Sequence, residues 1–211
     1  MARTYTLRKL EGNDELEEFH EENESLVLEQ DTKLFRKYFY RKKHKETIER
    51  AVENHSIIET IEYYTSTPVY YFQENRTLIV KSGRGYSDII YNHLKRNLGL
   101  TLMALEFRFV KFFEALEKNW NIEVDPISIE IIGYIKNEDL FGNLFATISN
   151  KEVFRDLLKT HQLGVKSVRF GTSNGFESDF QSDFTFKMFG GSRDDQDFFE
   201  FINDFLKNGG F

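Results

Sequence analysis

Hydrophobic and polar positions change texture twice along this chain. From Asn13 to Glu29 the apolar stripe is thin, limited to Leu16, Phe19, Leu26 and Val27. Asn13 offers an N-cap oxygen, and acids fill the first turn, where the helix macrodipole favours them, so the segment reads as a helix. A second helix is expected over about 32–40, running on through Glu46–Ile58, because Ile48, Ala51, Val52, His55 and Ile58 share one face at helical spacing. Ile57, Ile61 and Tyr63 also fit strand alternation, so the end of this element stays open.

From Thr65 the spacing shortens. Val69–Gln73 and Thr77–Ser82 read as strands about a Glu74-Asn75-Arg76 turn. A helix is expected from Ser87 to Asn97, stopped by a left-handed Gly99, and another where Leu105, Phe109, Phe112, Phe113, Leu116 and Trp120 recur at helical intervals. Pro126 opens a strand over Ile127–Ile135. Lys151–Thr160 reads as a helix capped by Ser149 or Asn150, Val165–Phe170 and Phe184–Phe189 as strands, and Asp194–Lys207 as a helix with Phe198, Phe201, Ile202, Phe205 and Leu206 in one stripe. Two stretches, Leu78–Gly99 and Phe184–Gly209, each lead from a strand through a glycine turn into a helix. The expected fold is therefore α+β: an N-terminal helical region (1–64) followed by a mixed or antiparallel sheet with ββα-type units and packed helices (65–211).

Composition narrows the chemistry. The chain has 211 residues, no cysteine, two prolines and 22 phenylalanines. A length of this order buries roughly 70% of the unfolded surface. Absence of cysteine excludes disulfides, thiolate metal sites and a cysteine nucleophile. No stretch approaches the roughly 20 apolar residues of a membrane-spanning helix, and the first residues carry no signal-peptide pattern, so no membrane association and a cytoplasmic location are expected.

Net charge is −7, unevenly spread. Residues 11–31 hold ten acids and no lysine or arginine; residues 33–45 hold seven cations, four aromatics and no acid. Clustered cations bind phosphates by releasing counterions, and exposed rings stack on bases. Lys33, Arg36, Lys37, Arg41, Lys42, Lys43 and Lys45 are thus candidate phosphate contacts, with Tyr38 and Tyr40 as candidate stacking residues. On a helix these cations form a broad positive collar beside a Leu34–Phe35–Phe39 patch. The competing reading places the aromatics in the core and pairs the cations with the acidic segment before them, which could also act as an autoinhibitory arm.

Other sites are weaker. Gly83-Arg84-Gly85 sits before a helix, where backbone amides can hold phosphate, but Asp88 stands where the dinucleotide fingerprint wants a small residue, and no Walker lysine follows. The five histidines are scattered. Asp179, Asp183, Asp194, Asp195 and Asp197 make the C-terminal region carboxylate-rich without a two-metal nuclease pattern. Phe176, Phe180, Phe189 and Phe211 flank glycines and could form an interface rather than core.

Arg155-Asp156-Leu157-Leu158-Lys159-Thr160-His161 resembles the arginine–polar–x4–histidine motif of HEPN-type ribonucleases. That resemblance implies that His161 and Arg155 activate a ribose hydroxyl and stabilise phosphorane charge. It covers seven residues, and HEPN domains are all-helical, whereas strands flank this segment. The leading expectation is a non-catalytic binding module without cofactor or metal, a subunit of an assembly contacting nucleic acid through residues 33–45. The alternatives are a protein–protein interaction subunit, bound to a protein partner or to its own kind, and the ribonuclease.

Overall fold

The computed structural model of the protein describes residues 2–11, 25–52, 55–105, 108–137, 140–173, 175, 177–189 and 195–207. Eleven strands and four helices are formed among them: β1 (Arg3–Leu10), β2 (Leu26–Asp31), β3 (Arg36–Val52), β4 (His55–Phe72), β5 (Thr77–Val80), α1 (Arg84–Leu98), β6 (Leu102–Met103), α2 (Phe109–Asn119), β7 (Val124–Asn137), β8 (Leu140–Thr147), α3 (Lys151–Thr160), β9 (Val165–Thr172), β10 (Glu177–Gln181), β11 (Thr185–Phe189) and α4 (Asp195–Lys207). All strands join one antiparallel sheet in the order β2-β3-β4-β5-β1-β11-β10-β9-β7-β8, with β6 pairing to β1 beside that path. Among the described residues no helix is long and apolar enough to cross a membrane.

Because successive strand residues point to opposite faces, the sheet carries two cores. On one face α1 lays Ile90, Tyr91, Leu94 and Leu98 over Tyr38, Tyr40, Val69, Tyr71, Leu78 and Val80. On the other, α2, α3 and α4 cover Tyr5, Leu7, Tyr70, Phe72, Val168, Phe170, Phe180 and Phe186. The phenylalanines are concentrated in this second core. Phe112 alone lies 4.5 Å from Phe180 and 5.2 Å from Phe205 between ring centroids, in tilted and edge-on geometries that suit aromatic quadrupoles.

Local rules account for the helix ends. Gly99 closes α1 at φ 65, a left-handed conformation in which a Cβ is disfavoured. Asn150 caps α3, its side chain accepting from the Glu152 and Val153 amides at 2.9 and 3.2 Å. The turn over residues 73–76 joins β4 to β5 where Glu74-Asn75-Arg76 was expected to do so.

The expectation of an N-terminal helical region does not hold. Residues 36–52 and 55–72 form the two longest strands, paired residue for residue without a register shift, and Leu26–Asp31 is an edge strand beside them. The molecule is mainly antiparallel sheet with four short helices. The helical spacing of Ile48, Ala51 and Val52 is outweighed by a run of strand formers between Thr47 and Tyr71, whose β-branched and aromatic side chains fit a pleated surface better than a helix. Residues 12–24, which hold most of the expected acidic helix, lie outside the described residues. β4 runs without a break through residues 64 and 65, where the two regions were expected to meet.

Candidate functional site

β3 and β4 outrun their neighbours. β2 reaches β3 only at residues 36–40, and β5 reaches β4 only at residues 69–72, while the β3–β4 ladder continues to Val52↔His55. Beyond Lys42↔Thr65 the two strands form an arm that no third strand joins among the described residues, about 35 Å long at the usual rise per residue. A lone two-stranded ribbon is marginal in water, so such an arm is anchored at its base and completed by whatever it touches.

The base is firmly held. Phe35 lies 5.4 Å from Tyr70, 5.8 Å from Phe72 and 5.5 Å from Phe199 of α4. Thr32 Oγ1 accepts from the Phe35 amide at 3.0 Å and donates to the Phe35 carbonyl at 2.7 Å, which folds the β2–β3 connection tightly.

Residues directly opposite in the ladder share a face. One face of the arm, continuous with the α1 side, presents His44 with Tyr63, Glu46 with Ile61, Ile48 with Glu59 and Arg50 with Ile57. His44 stacks on Tyr63 at 5.0 Å and shares a hydrogen bond with the Thr65 hydroxyl at 2.9 Å. Tyr63, Ile61 and Ile57 are 43, 38 and 51% exposed. The opposite face pairs Lys43 with Tyr64, Lys45 with Glu62, Thr47 with Thr60 and Glu49 with Ile58. Tyr64 and Ile58 stand out there at 60 and 70% exposure.

The basic strip is therefore a strand, not a helical collar, and its cations divide between the two faces. Arg36 and Lys42 point one way; Lys37, Arg41, Lys43 and Lys45 point the other. Four of them meet the chain's own carboxylates: Arg36 to Asp31 at 3.0 Å, Lys37 to Glu29 at 2.6 Å, and Lys43 and Lys45 to the two oxygens of Glu62 at 2.6 and 2.8 Å. Lys33, Arg41 and Lys42 make no ion pair with another described residue, but Arg41 and Lys42 face opposite ways. Residues 43–64, which make up the arm, carry three basic and five acidic side chains, so the arm itself is slightly acidic.

Tyr38 and Tyr40 require a correction. Both rings are buried under α1, at 0 and 3% exposure, so neither can stack on a base; they share their face of β3 with Arg36 and Lys42, while Lys37, Arg41, Lys43 and Lys45 lie on the other.

The hydrogen bonds from Lys43 and then Lys45 pull the Glu62 carboxyl down to about 2. Its folded pKa is below the ordinary glutamate value, so the interaction is fully present above that value and is lost as pH falls toward 2. A carbon-detected NMR titration is expected to show Glu62 losing its charge well below the ordinary glutamate value, with added salt moving its midpoint upward because the group is exposed. A midpoint among the ordinary glutamates would show that the two lysines do not hold it.

The remaining candidates do not converge. Arg155 is engaged by both Glu117 oxygens at 2.7 and 2.9 Å, while His161 follows the last residue of α3 beside an open cleft of about 430 Å³ lined by Ile132, Leu163 and Gly164. The six-residue separation places the two side chains on different sides of the helix. Arg84, the first residue of α1, binds Asp183 at 2.8 Å. Asp183 also accepts from the Thr185 amide at 3.0 Å. Phe180 is core, and Phe189 lies under the Arg169 guanidinium at 4.7 Å. Phe176, Phe211 and Asp194 lie outside the described residues.

No protein-family model matches this sequence, and no curated protein matches it. The arm's exposed residues were missed as a site because a ribbon bare on both faces has no inner and outer side to impose an alternating pattern. The strand spacing of Ile57, Ile61 and Tyr63 was the visible signal.

Proposed function

We infer that this chain is a protein-binding subunit whose β3–β4 arm engages another protein. One observation carries this reading: an anchored ribbon with no excess of positive charge presents Ile57, Ile58, Ile61, Tyr63 and Tyr64 to solvent. Exposed apolar and aromatic groups gathered on one projecting element mark an interaction site, and rigid tyrosine anchors with an apolar centre are what protein interfaces use. A phosphate-binding track is less well supported, since the cations of residues 33–45 are split between faces and mostly matched by carboxylates in the chain itself.

The test is site-specific photo-crosslinking from Tyr64 and Ile58 in the native cell, repeated with Ile57→Asp and Ile61→Asp together. Discrete protein adducts from the arm, abolished by the double substitution while the melting curve is retained, are the expected result. Adducts to nucleic acid, or purified protein whose 260 nm absorbance disappears in strong salt, would replace this reading with nucleic-acid binding. Protein adducts unaffected by the double substitution would remove the arm from the interface.

A further inference from the structure

The two edges of the sheet are finished differently. β2, at one edge, has six residues, carries Glu29 and Asp31, and has a register irregularity between Leu28 and Gln30. Short length, charge and a bulge are the devices that keep an edge from pairing with another chain. β8, at the other edge, has none of the first two. Its eight residues, Leu-Phe-Gly-Asn-Leu-Phe-Ala-Thr, include no charged side chain and no proline, and Phe145 is 73% exposed. The irregularities in its ladder with β7 lie toward the tip; Leu144–Thr147 pair regularly with Ser128–Ile131.

The direction of the free backbone groups follows from the hydrogen bonds. The Ile148 amide donates to the Ile127 carbonyl at 3.0 Å, and on the far side of β7 the Ile132 amide donates to Gly164 at 2.7 Å. Alternation then turns Leu144 and Ala146 toward β7 and leaves the N–H and C=O of Asn143, Phe145 and Thr147 directed away from the sheet.

We propose that β8 pairs with β8 of a second copy of this chain, antiparallel about a two-fold axis at Phe145. This occupant is favoured over an unrelated strand because the edge is complementary to itself. With Phe145 opposite its own counterpart, Asn143 falls opposite Thr147 of the second copy, so every outward-directed residue exchanges main-chain hydrogen bonds. On the α1 side the two exposed Phe145 rings become a directly opposed cross-strand pair. On the other side Leu144 meets the smaller Ala146, both already packed at the margin of the larger core. No pair in this register brings like charges together. The same operation at β2 would set acids near acids across an irregular ladder. The result is one sheet running through both copies, an isologous contact that closes on itself.

This inference is independent of the arm, and its test separates the two. The full chain is examined by light scattering and sedimentation equilibrium at tens of micromolar, where a species of twice its 25.1 kDa mass is expected. Phe145→Lys places two ammonium groups opposite each other and is expected to give monomer. Asn143→Pro removes an outward N–H without touching the core and is expected to do the same. Both are checked by circular dichroism for unchanged secondary structure; should the lysine variant misfold, the proline variant carries the comparison. Since the chain lacks cysteine, Phe145→Cys supplies a single thiol, and a short bismaleimide is expected to link two copies through it. Monomer for the unaltered chain overturns the proposal. So does a dimer that persists in both β8 variants, or one that is lost only with Ile57→Asp and Ile61→Asp, which assigns self-association to the arm.

Discussion

Phe199→Ala is expected to cost about 3–5 kcal/mol of folding stability, the usual range for emptying a buried phenylalanine site. Phe199 projects from α4 at 1% exposure into a ring of aromatics: Tyr70 at 4.4 Å, Phe35 at 5.5 Å, Phe72 at 5.7 Å and Tyr5 at 5.9 Å. Four of its neighbours come from β1, the residue just before β3 and the end of β4, so the cavity would open where the arm meets the body. For a chain of this size the melting temperature should fall by about 10 °C, measured by calorimetry or circular dichroism. Amide exchange should quicken first in residues 35–40 and 68–72. A drop confined to α4, with the base of the arm still protected, would show that the ribbon is held by its own ladder and not by this ring.

Gly164→Ala is the second large effect. Gly164 lies between α3 and β9, its amide bonded to the His161 carbonyl at 2.8 Å and its carbonyl accepting from the Ile132 amide at 2.7 Å. A Cβ built there would stand 2.5 Å from the Ile132 carbonyl oxygen and 3.2 Å from Ile131 Cγ2. The first contact is with backbone on the neighbouring strand, so β7 and β9 must separate, and overpacking of this kind costs about 1–3 kcal/mol. Gly85→Ala is the matched control: nothing lies within 4 Å of its Cβ position, and loss of a glycine from a helical site stabilises by about 0.4–1 kcal/mol through the unfolded chain. Thermal denaturation of the two variants should therefore move in opposite directions. Equal melting temperatures would mean that the close approach at Gly164 relaxes freely.

What the sequence made legible follows from where burial is one-sided. In α2, Phe109, Phe112, Phe113 and Leu116 face a sheet and the remaining positions face water, so the helical period is written in hydrophobicity. Gly99 and Asn150 were readable because a left-handed stop and an N-cap each demand particular residue types. The first quarter obeyed a different logic. In β3 the inward residues at the base are tyrosines, Tyr38 and Tyr40, set among cations, and in the arm there is no inward side at all. Ile48, Ala51 and Val52 then matched a helical face by coincidence of spacing. The candidate site was half visible: the cations of residues 33–45 drew attention to the right segment, but their pairing with Glu29, Asp31 and Glu62 depends on strand register, which a charge count along the chain does not reveal. The exposed isoleucines and tyrosines opposite them are distant in sequence and adjacent only through the hairpin.

The central strand imposes a timetable on folding. Arg3–Leu10 sits between β5 and β11, pairing Thr6 with Val80 on one side and Thr4 with Lys187 on the other. The half containing β2–β5 can close soon after it leaves the ribosome, and so can the half containing β7–β11, but the seam between them waits for β1 to meet β11, the strand farthest from it along the chain. Until then β11 is paired only with β10, and contacts so far apart along the chain are slow to form. A newly synthesised molecule thus passes through a stage with its final seam open, when chaperone protection matters most.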